Sequence, residues 1–412
     1  MSPDASVTTG RIAALDVMRG VAVMGILLAN LPAFALPEAA YFSPLAAGGS
    51  GPAERATWLA NFVFVEGRMR GLFSFLFGAS LLLIAERARA AGENDAAVHL
   101  RRMAALFVFG VAHLYLVWWG DILSHYALVG IAAFMFTFFG TRMLLAWSLL
   151  FLALSMLHVV GGYAALLASA ARDTPDAAAT WAGFATSFGV PPASDLTAET
   201  AAMQGSWADQ FAWRRIHAYN PFSFIWEIGP QTLAAMLMGM AAYRSGMLGG
   251  GWDRARLKRW AIGCLGVSFA AYAVLGLRTI DSGFDQRFVY FGSILASEPF
   301  RMIGIVGYAA LAMVLMRPGG WLTTRVAAVG RAAFSNYLGT SIIMTAIFYG
   351  WGLGLFAQVS RGAIYLFAPL VWLLMLAWSK PWLDRFRYGP LEWAWRSLAR
   401  WRWEPMRVRA AA

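Results

Sequence analysis

The sequence predicts an all-α integral membrane protein of about ten transmembrane helices, organised as a single polytopic domain over residues 1–412. Three observations predict it. Hydrophobic residues make up 59% of the chain and charged residues only 13%, against about a quarter charged in soluble domains. The mean hydropathy is +0.57. Mostly apolar runs of about 18 or more residues, the length that crosses a hydrocarbon core, recur from one end of the chain to the other.

Those runs fall near 12–34, 69–85, 102–119, 122–140, 143–170, 222–243, 259–277, 290–316, 326–350 and 363–379. The first is too long for a signal-peptide core and reads as an uncleaved span. If the ten alternate, the connections on the N-terminal side hold about 22 of the 33 Lys and Arg residues and the opposite side about 10. The positive-inside rule then places both termini in the cytoplasm. This asymmetry also accounts for the net charge of +11, so nucleic-acid binding is not expected. One cysteine, Cys264, excludes a disulfide within the chain, and five scattered histidines show no metal-ligand spacing. No metal site is expected.

The first span carries Asp16 and Arg19, whose three-residue spacing stacks them on one helix face where they pair. By helical rise they lie roughly 6 to 12 Å from the helix start. Charges at such depth are costly unless paired or facing water, and mark function by default. Asn30 follows about three turns later.

Two longer connections fall on the external side. Residues 35–68 are rich in Gly and Pro, and residues 171–221 contain WADQFAWRRIHAY, whose mixture of aromatic and charged residues suggests a helix lying on the surface. Either would cap a cavity or serve as a solvated connector. At the start of the second span Glu66, Arg68 and Arg70 crowd together. They suit an anionic group, or else form a solvated helix entrance.

The third span places His113 mid-helix, and the turn Gly120-Asp121 leads into the fourth span with His125 one turn beyond. A histidine at that depth beside a carboxylate makes a general base. The alternatives are a core histidine bonded to a neighbouring helix and an Asp121 that only caps the fourth span. Glu298 and Arg301 near the external end of the eighth span are expected to pair with each other or with loop charges. Asn336, within GRAAFSNYLGTS, looks like a buried amide at a close helix contact. The Arg-rich turns, HLRR among them, read as cytoplasmic anchors. The tail over 380–412 mixes Trp with Arg, a composition suited to a headgroup interface.

The opening R-x-x-x-L-D-x-x-R-G (Arg11, Leu15, Asp16, Arg19, Gly20) followed by LLANL resembles the start of the YeiB-like family of bacterial membrane proteins. That family is known by its C-terminal region, here about 230–396, as domain of unknown function 418. Further matches are LFSFLFGAS at 72–80, RRMAALFVFGVAHLYLVWWGDILSHYALVG at 101–130, GRAAFSNYLGTS at 330–341 and YGPLEWAWR at 388–396. The family in turn resembles the transmembrane acyltransferase superfamily, including the heparan glucosaminide N-acetyltransferases. The resemblance implies a protein of the bacterial inner membrane that takes an acyl group from cytoplasmic acyl-CoA, as co-substrate rather than bound cofactor, to an external acceptor. It departs from the glucosaminide enzymes in having no histidine between Ala35 and Glu66. His113 with Asp121 is expected to act as the catalytic pair instead. Arg19, oriented by Asp16, is expected to line a cytoplasmic-facing acyl-CoA pocket, with Arg11, Asn30, Arg68, Arg70 and Asn336 as further substrate-binding candidates; Asn30 or Asn336 would steady an oxyanion.

Two other classes fit the same residues. A transporter or lipid-handling protein would show a gated path between two bundles. An accessory protein would bury Asp16 and Arg19 against each other with no cavity, whereas an enzyme would show a cavity with Arg19 at its wall and His113 at its end.

Overall fold

A computed structural model describes residues 3–408, with side chains from Ala14 onward. Arg11 lies in the first helix, but its side chain falls outside the described residues. Among the described residues there is no strand beyond one bridge that pairs Phe386 with Arg407.

Helix α1 (Pro3–Ala35) ends in a 3-10 turn, Glu38–Tyr41. The connection expected as loop contains α2 (Pro52–Phe64), which opens with Pro at its first position, where the missing N–H costs no helical bond. Next come α3 (Arg68–Ala90), α4 (Asp95–Leu116), α5 (Leu123–Phe134) and α6 (Thr141–Ala171). Three helices, α7 (Pro175–Phe188), α8 (Ala193–Gln204) and α9 (Trp207–His217), make up the second long connection. The last is the expected surface helix, closed by a Ser206–Asp209 capping box. The chain continues through α10 (Phe224–Arg244), α11 (Arg254–Asp281), α12 (Gln286–Tyr290), a π turn over Phe291–Ala296 and α13 (Glu298–Leu315). It finishes with α14 (Trp321–Arg331), α15 (Ala333–Phe348), α16 (Phe367–Arg385) and α17 (Pro390–Arg400).

Among the described residues, seven helical stretches are long and apolar enough to cross a membrane: α1, α2 with α3, α4, α6, α11, α13 and α16. The short apolar helices α5 and α15, together with α10, fill the other three expected positions. Helix α1 is the central one, with 67% of its apolar window buried against 22% for α6. The outer helices present Leu149, Leu157, Ile262 and Leu370 outward, as a lipid-facing surface requires.

Close helix contacts rest on glycine. A Cβ at Gly78 would lie 2.0 Å from the Met236 carbonyl oxygen, and one at Gly239 would lie 1.8 Å from that of Phe75. These reciprocal contacts bring the α3 and α10 backbones together, the small-residue packing that replaces hydrophobic driving force in lipid. The same device joins α1 to α14, where Gly20 faces Val326 and Gly330 faces Asp16. Those pairings run in opposite directions, so α14 lies antiparallel to α1.

The ninth span, expected as one helix over 326–350, is therefore two. The break falls at Ala332 (φ −104°, ψ 31°), and the orphan N–H groups it creates are taken up from elsewhere. Glu392 of α17 accepts from the Phe334 and Ser335 N–H groups and from the Ser335 hydroxyl. Helix α15 then leads to the end of the molecule where α1 finishes, and Ala357 donates its N–H to the Ala35 carbonyl. That end is capped by the 3-10 turn and by α7 to α9. The opposite end, where α3 meets α4 and α17 packs on α4, is rich in arginine.

Candidate active site

Arg19 and Asp16 pair as their spacing predicts. Arg19 Nη1 donates to Asp16 Oδ1 at 2.9 Å, and Nη2 donates to Ser80 Oγ of α3 at 2.6 Å. Asp16 is nearly enclosed, whereas the Arg19 side chain keeps 29% of its surface exposed. That surface faces a chamber of about 230 Å³ between α1, α3, α4, α5, α14, α15 and α17. Phe73, Phe77, Ile84, Met103, Leu106 and Leu123 make its walls apolar, while Arg19, Ser80, His99, Arg102 and Glu392 supply polar groups. Tyr126 and Tyr337 also line it.

His113 sits one turn from the end of α4, which stops at Leu116 rather than running on to Trp119. Its Nδ1 lies 2.9 Å from Asp121 Oδ1. The other carboxylate oxygen accepts from the backbone N–H of Ser124 at 2.9 Å and from its hydroxyl at 2.8 Å. Asp121 thus caps the fourth span and partners the histidine at once, uniting two roles that the sequence left as alternatives. With Nδ1–H given to the carboxylate, a neutral imidazole presents the Nε2 lone pair. Nε2 is buried and finds no partner in the protein. His125, by contrast, places Nε2 2.9 Å from Thr232 Oγ1.

The dyad does not line the chamber. The Tyr337 ring, 5.5 Å from the His113 ring, stands between them. On the far side Trp118 stacks on Phe34 at 3.9 Å and meets His113 edge-on. Above this, Arg214 of α9 donates to the Tyr115 carbonyl, and Tyr219 donates to the Asp121 carbonyl at 2.6 Å. The cap is therefore fastened to the end of α4 beside the dyad.

The other expected site residues are dispersed. Arg68 is fully buried, donates to the Phe62 and Val63 carbonyls and lies 3.7 Å from the Tyr272 ring centre. Glu66 accepts from Tyr41, and Arg70 is half-buried, so the three crowded charges diverge. Glu298 and Arg301 do not bond each other: Ser155 donates to the first, while the second donates to the Ser293 carbonyl. Both ends of the Asn336 amide are engaged in packing, donating to Val329 and Ser379 and accepting from Trp378. Asn30 is half-buried on α1, about 16 Å along the axis from Arg19. None of these four candidates, Asn30, Arg68, Arg70 and Asn336, lines the chamber.

Sequence reasoning missed Ser80, His99, Arg102, Tyr337 and Trp395 as chamber residues. Ser80, Arg102, Tyr337 and Trp395 lie within motifs that carry the family resemblance, and that position was their signal. The basic tail, expected at the headgroup interface, is folded against the site. Trp395 donates to the Arg102 carbonyl at 2.9 Å, and the Arg102 guanidinium stands 4.4 Å from its ring.

In the cap, Glu199 accepts from the Glu38 N–H, and Ser187 donates to the Glu38 carboxylate. Burial raises Glu199 to about 7, and the neighbouring Glu38 adds to the rise. Burial also raises Glu38.

The fold and this site define a class: a multi-helix membrane protein with a buried His–Asp pair beside a chamber that a paired intramembrane arginine enters. The chain belongs to the YeiB-like family, and residues 242–402 match the model described as protein of unknown function (DUF418). It is 31% identical to the uncharacterized protein YxaH of Bacillus subtilis (strain 168), over 97% of each chain. It is also 31% identical to the uncharacterized protein YeiB of Escherichia coli (strain K12), over 93% of this chain and 95% of that one. No solved structure matches it.

Proposed function

We propose that the protein is an acyltransferase of the bacterial cytoplasmic membrane, with both termini and the arginine-rich end in the cytoplasm and the capped end outside. It moves an acyl group from acyl-CoA to a hydroxyl or amine acceptor at the external face. The observation that carries this reading is the His113–Asp121 dyad with its free, buried Nε2. Nε2 takes the acceptor's proton as the acceptor atom attacks the thioester carbonyl carbon; the C–S bond breaks, and the imidazolium returns the proton to the departing thiolate. Arg19, held by Asp16 and Ser80, offers the donor a fixed guanidinium in an apolar chamber. Rotation of Tyr337 would join the chamber to the dyad. Asn336 is engaged elsewhere, so it is not assigned to the oxyanion.

An accessory role fits less well, because Arg19 faces a chamber instead of being sealed against Asp16. A transport or lipid-handling role draws support from the same chamber. The test is turnover or slow hydrolysis of labelled acetyl-CoA and longer acyl-CoAs by protein in lipid. Activity that disappears in His113→Ala and Arg19→Ala, with both variants folded, supports the proposal. No consumption of any acyl-CoA overturns it and moves attention to transport assays.

A further inference from the structure

A second cavity, of about 690 Å³, opens beside the chamber at the arginine-rich end. Ile84, Arg102 and Arg396 line both cavities, so one leads into the other. Six arginines line it, namely Arg87, Arg101, Arg102, Arg396, Arg400 and Arg402, against the single carboxylate of Glu93. Arg400 and Arg402 share Glu404, at 2.9 and 3.7 Å. Among the described residues Arg87, Arg101, Arg102 and Arg396 form no salt bridge.

Topology alone places arginines at a membrane surface, but it does not gather them from α3, α4 and α17 around a concave opening. Unneutralised guanidinium groups that converge there repel one another, a cost that a polyanion removes through charge-assisted bonds. Beyond the mouth the walls turn apolar. From Ile84 at the junction to Phe73 at the deep end, eleven positions apart, α3 lines the chamber over about 16 Å by helical rise. Together, at about 230 and 690 Å³, the two compartments fall within the roughly 300–1,000 Å³ of small-molecule sites.

We infer that vestibule and chamber form one site for an amphiphile with a phosphate-bearing head and a single slender chain or arm, the phosphates held by Arg87, Arg101, Arg102 and Arg396. The inference deepens the acyl-donor reading and rests on it for the identity of the ligand as a CoA thioester. An anionic single-chain lipid has the same chemistry, and the test separates the two sources.

Binding is measured on the full chain in nanodiscs of neutral phosphatidylcholine, with CoA, palmitoyl-CoA and palmitoyl lysophosphatidate as probes. The variants are Arg87→Ala with Arg101→Ala, both exposed, and Ile84→Trp at the junction. CoA and palmitoyl-CoA are expected to bind, and the double arginine variant to weaken both about tenfold or more, as for the loss of a charge-assisted hydrogen bond. Ile84→Trp is expected to weaken palmitoyl-CoA and spare CoA. Arginine-dependent binding of lysophosphatidate without either CoA compound would uphold the site and overturn the acyl-donor reading. Binding or turnover of palmitoyl-CoA unchanged in the arginine variant would leave acyl transfer standing and overturn the vestibule's role. No binding of any probe would overturn the inference outright.

Discussion

Asp121 divides its two oxygens between His113 and the first turn of α5, so the tautomer of the histidine and the start of a helix depend on one side chain. Removing the proposed base should cost what general-base catalysis supplies. In an acyl-transfer assay His113→Ala is expected to lower turnover by about 10²- to 10⁴-fold, and Asp121→Asn to lower it as well by releasing the Nδ1–H. Unchanged turnover in either would remove the dyad from the chemistry. Glu199 makes a separate residue-scale prediction. Its carboxyl is raised from 4.5 to about 7, so the folded cap holds the proton more tightly than the unfolded chain does. Its stabilising contribution is complete below about pH 4.5 and is lost as pH rises through about 7. The Tm should therefore fall between about pH 5 and about pH 8, and Glu199→Gln should flatten that fall. A Tm profile identical in the variant would disprove the assignment.

At the scale of elements, the helix break at Ala332 and the docking of α17 are one event. Glu392 supplies the cap that α15 cannot find in its own preceding residues, because α14 departs along α1. Glu392→Ala leaves buried N–H groups without an acceptor, a penalty of about 1–3 kcal/mol. Hydrogen exchange should then show faster exchange in both Ala333–Phe348 and Pro390–Arg400. Acceleration confined to the tail would mean that α15 is held by other contacts. Since α17 also lines both cavities, the same variant is expected to loosen the mouth of the site.

Across the whole molecule, the separation of a basic open end from a capped end carrying Glu38, Glu199 and the α9 latch predicts the orientation in the bilayer. In a Cys264→Ser background, Glu93→Cys is expected to react with an impermeant thiol reagent only after the membrane is opened, and Asp195→Cys from outside intact cells. The reverse pattern would invert the proposed topology, and with it the entry side of the donor.

The sequence by itself determined the all-α membrane class, the neighbourhoods of the spans and the Asp16–Arg19 pair, and it brought His113 and Asp121 close together along the chain. These were legible because their causes are local. Asp16 and Arg19 are three apart on one helix, and His113 and Asp121 are eight apart across the short connection from α4 to α5. Tertiary structure alone decided which faces meet. Helices apolar on nearly every side give no periodicity to distinguish core from lipid, and the contacts that settle the matter join distant residues: Arg19 to Ser80, Trp395 to Arg102 across 293 positions, and Glu392 to the start of α15. The divergence of Glu66, Arg68 and Arg70, the breaking of the ninth span and the recruitment of the tail into the site all follow from close backbone approach at glycines and from orphan N–H groups seeking an acceptor. Neither is written in the spacing of one segment, because each requires two segments to have found each other.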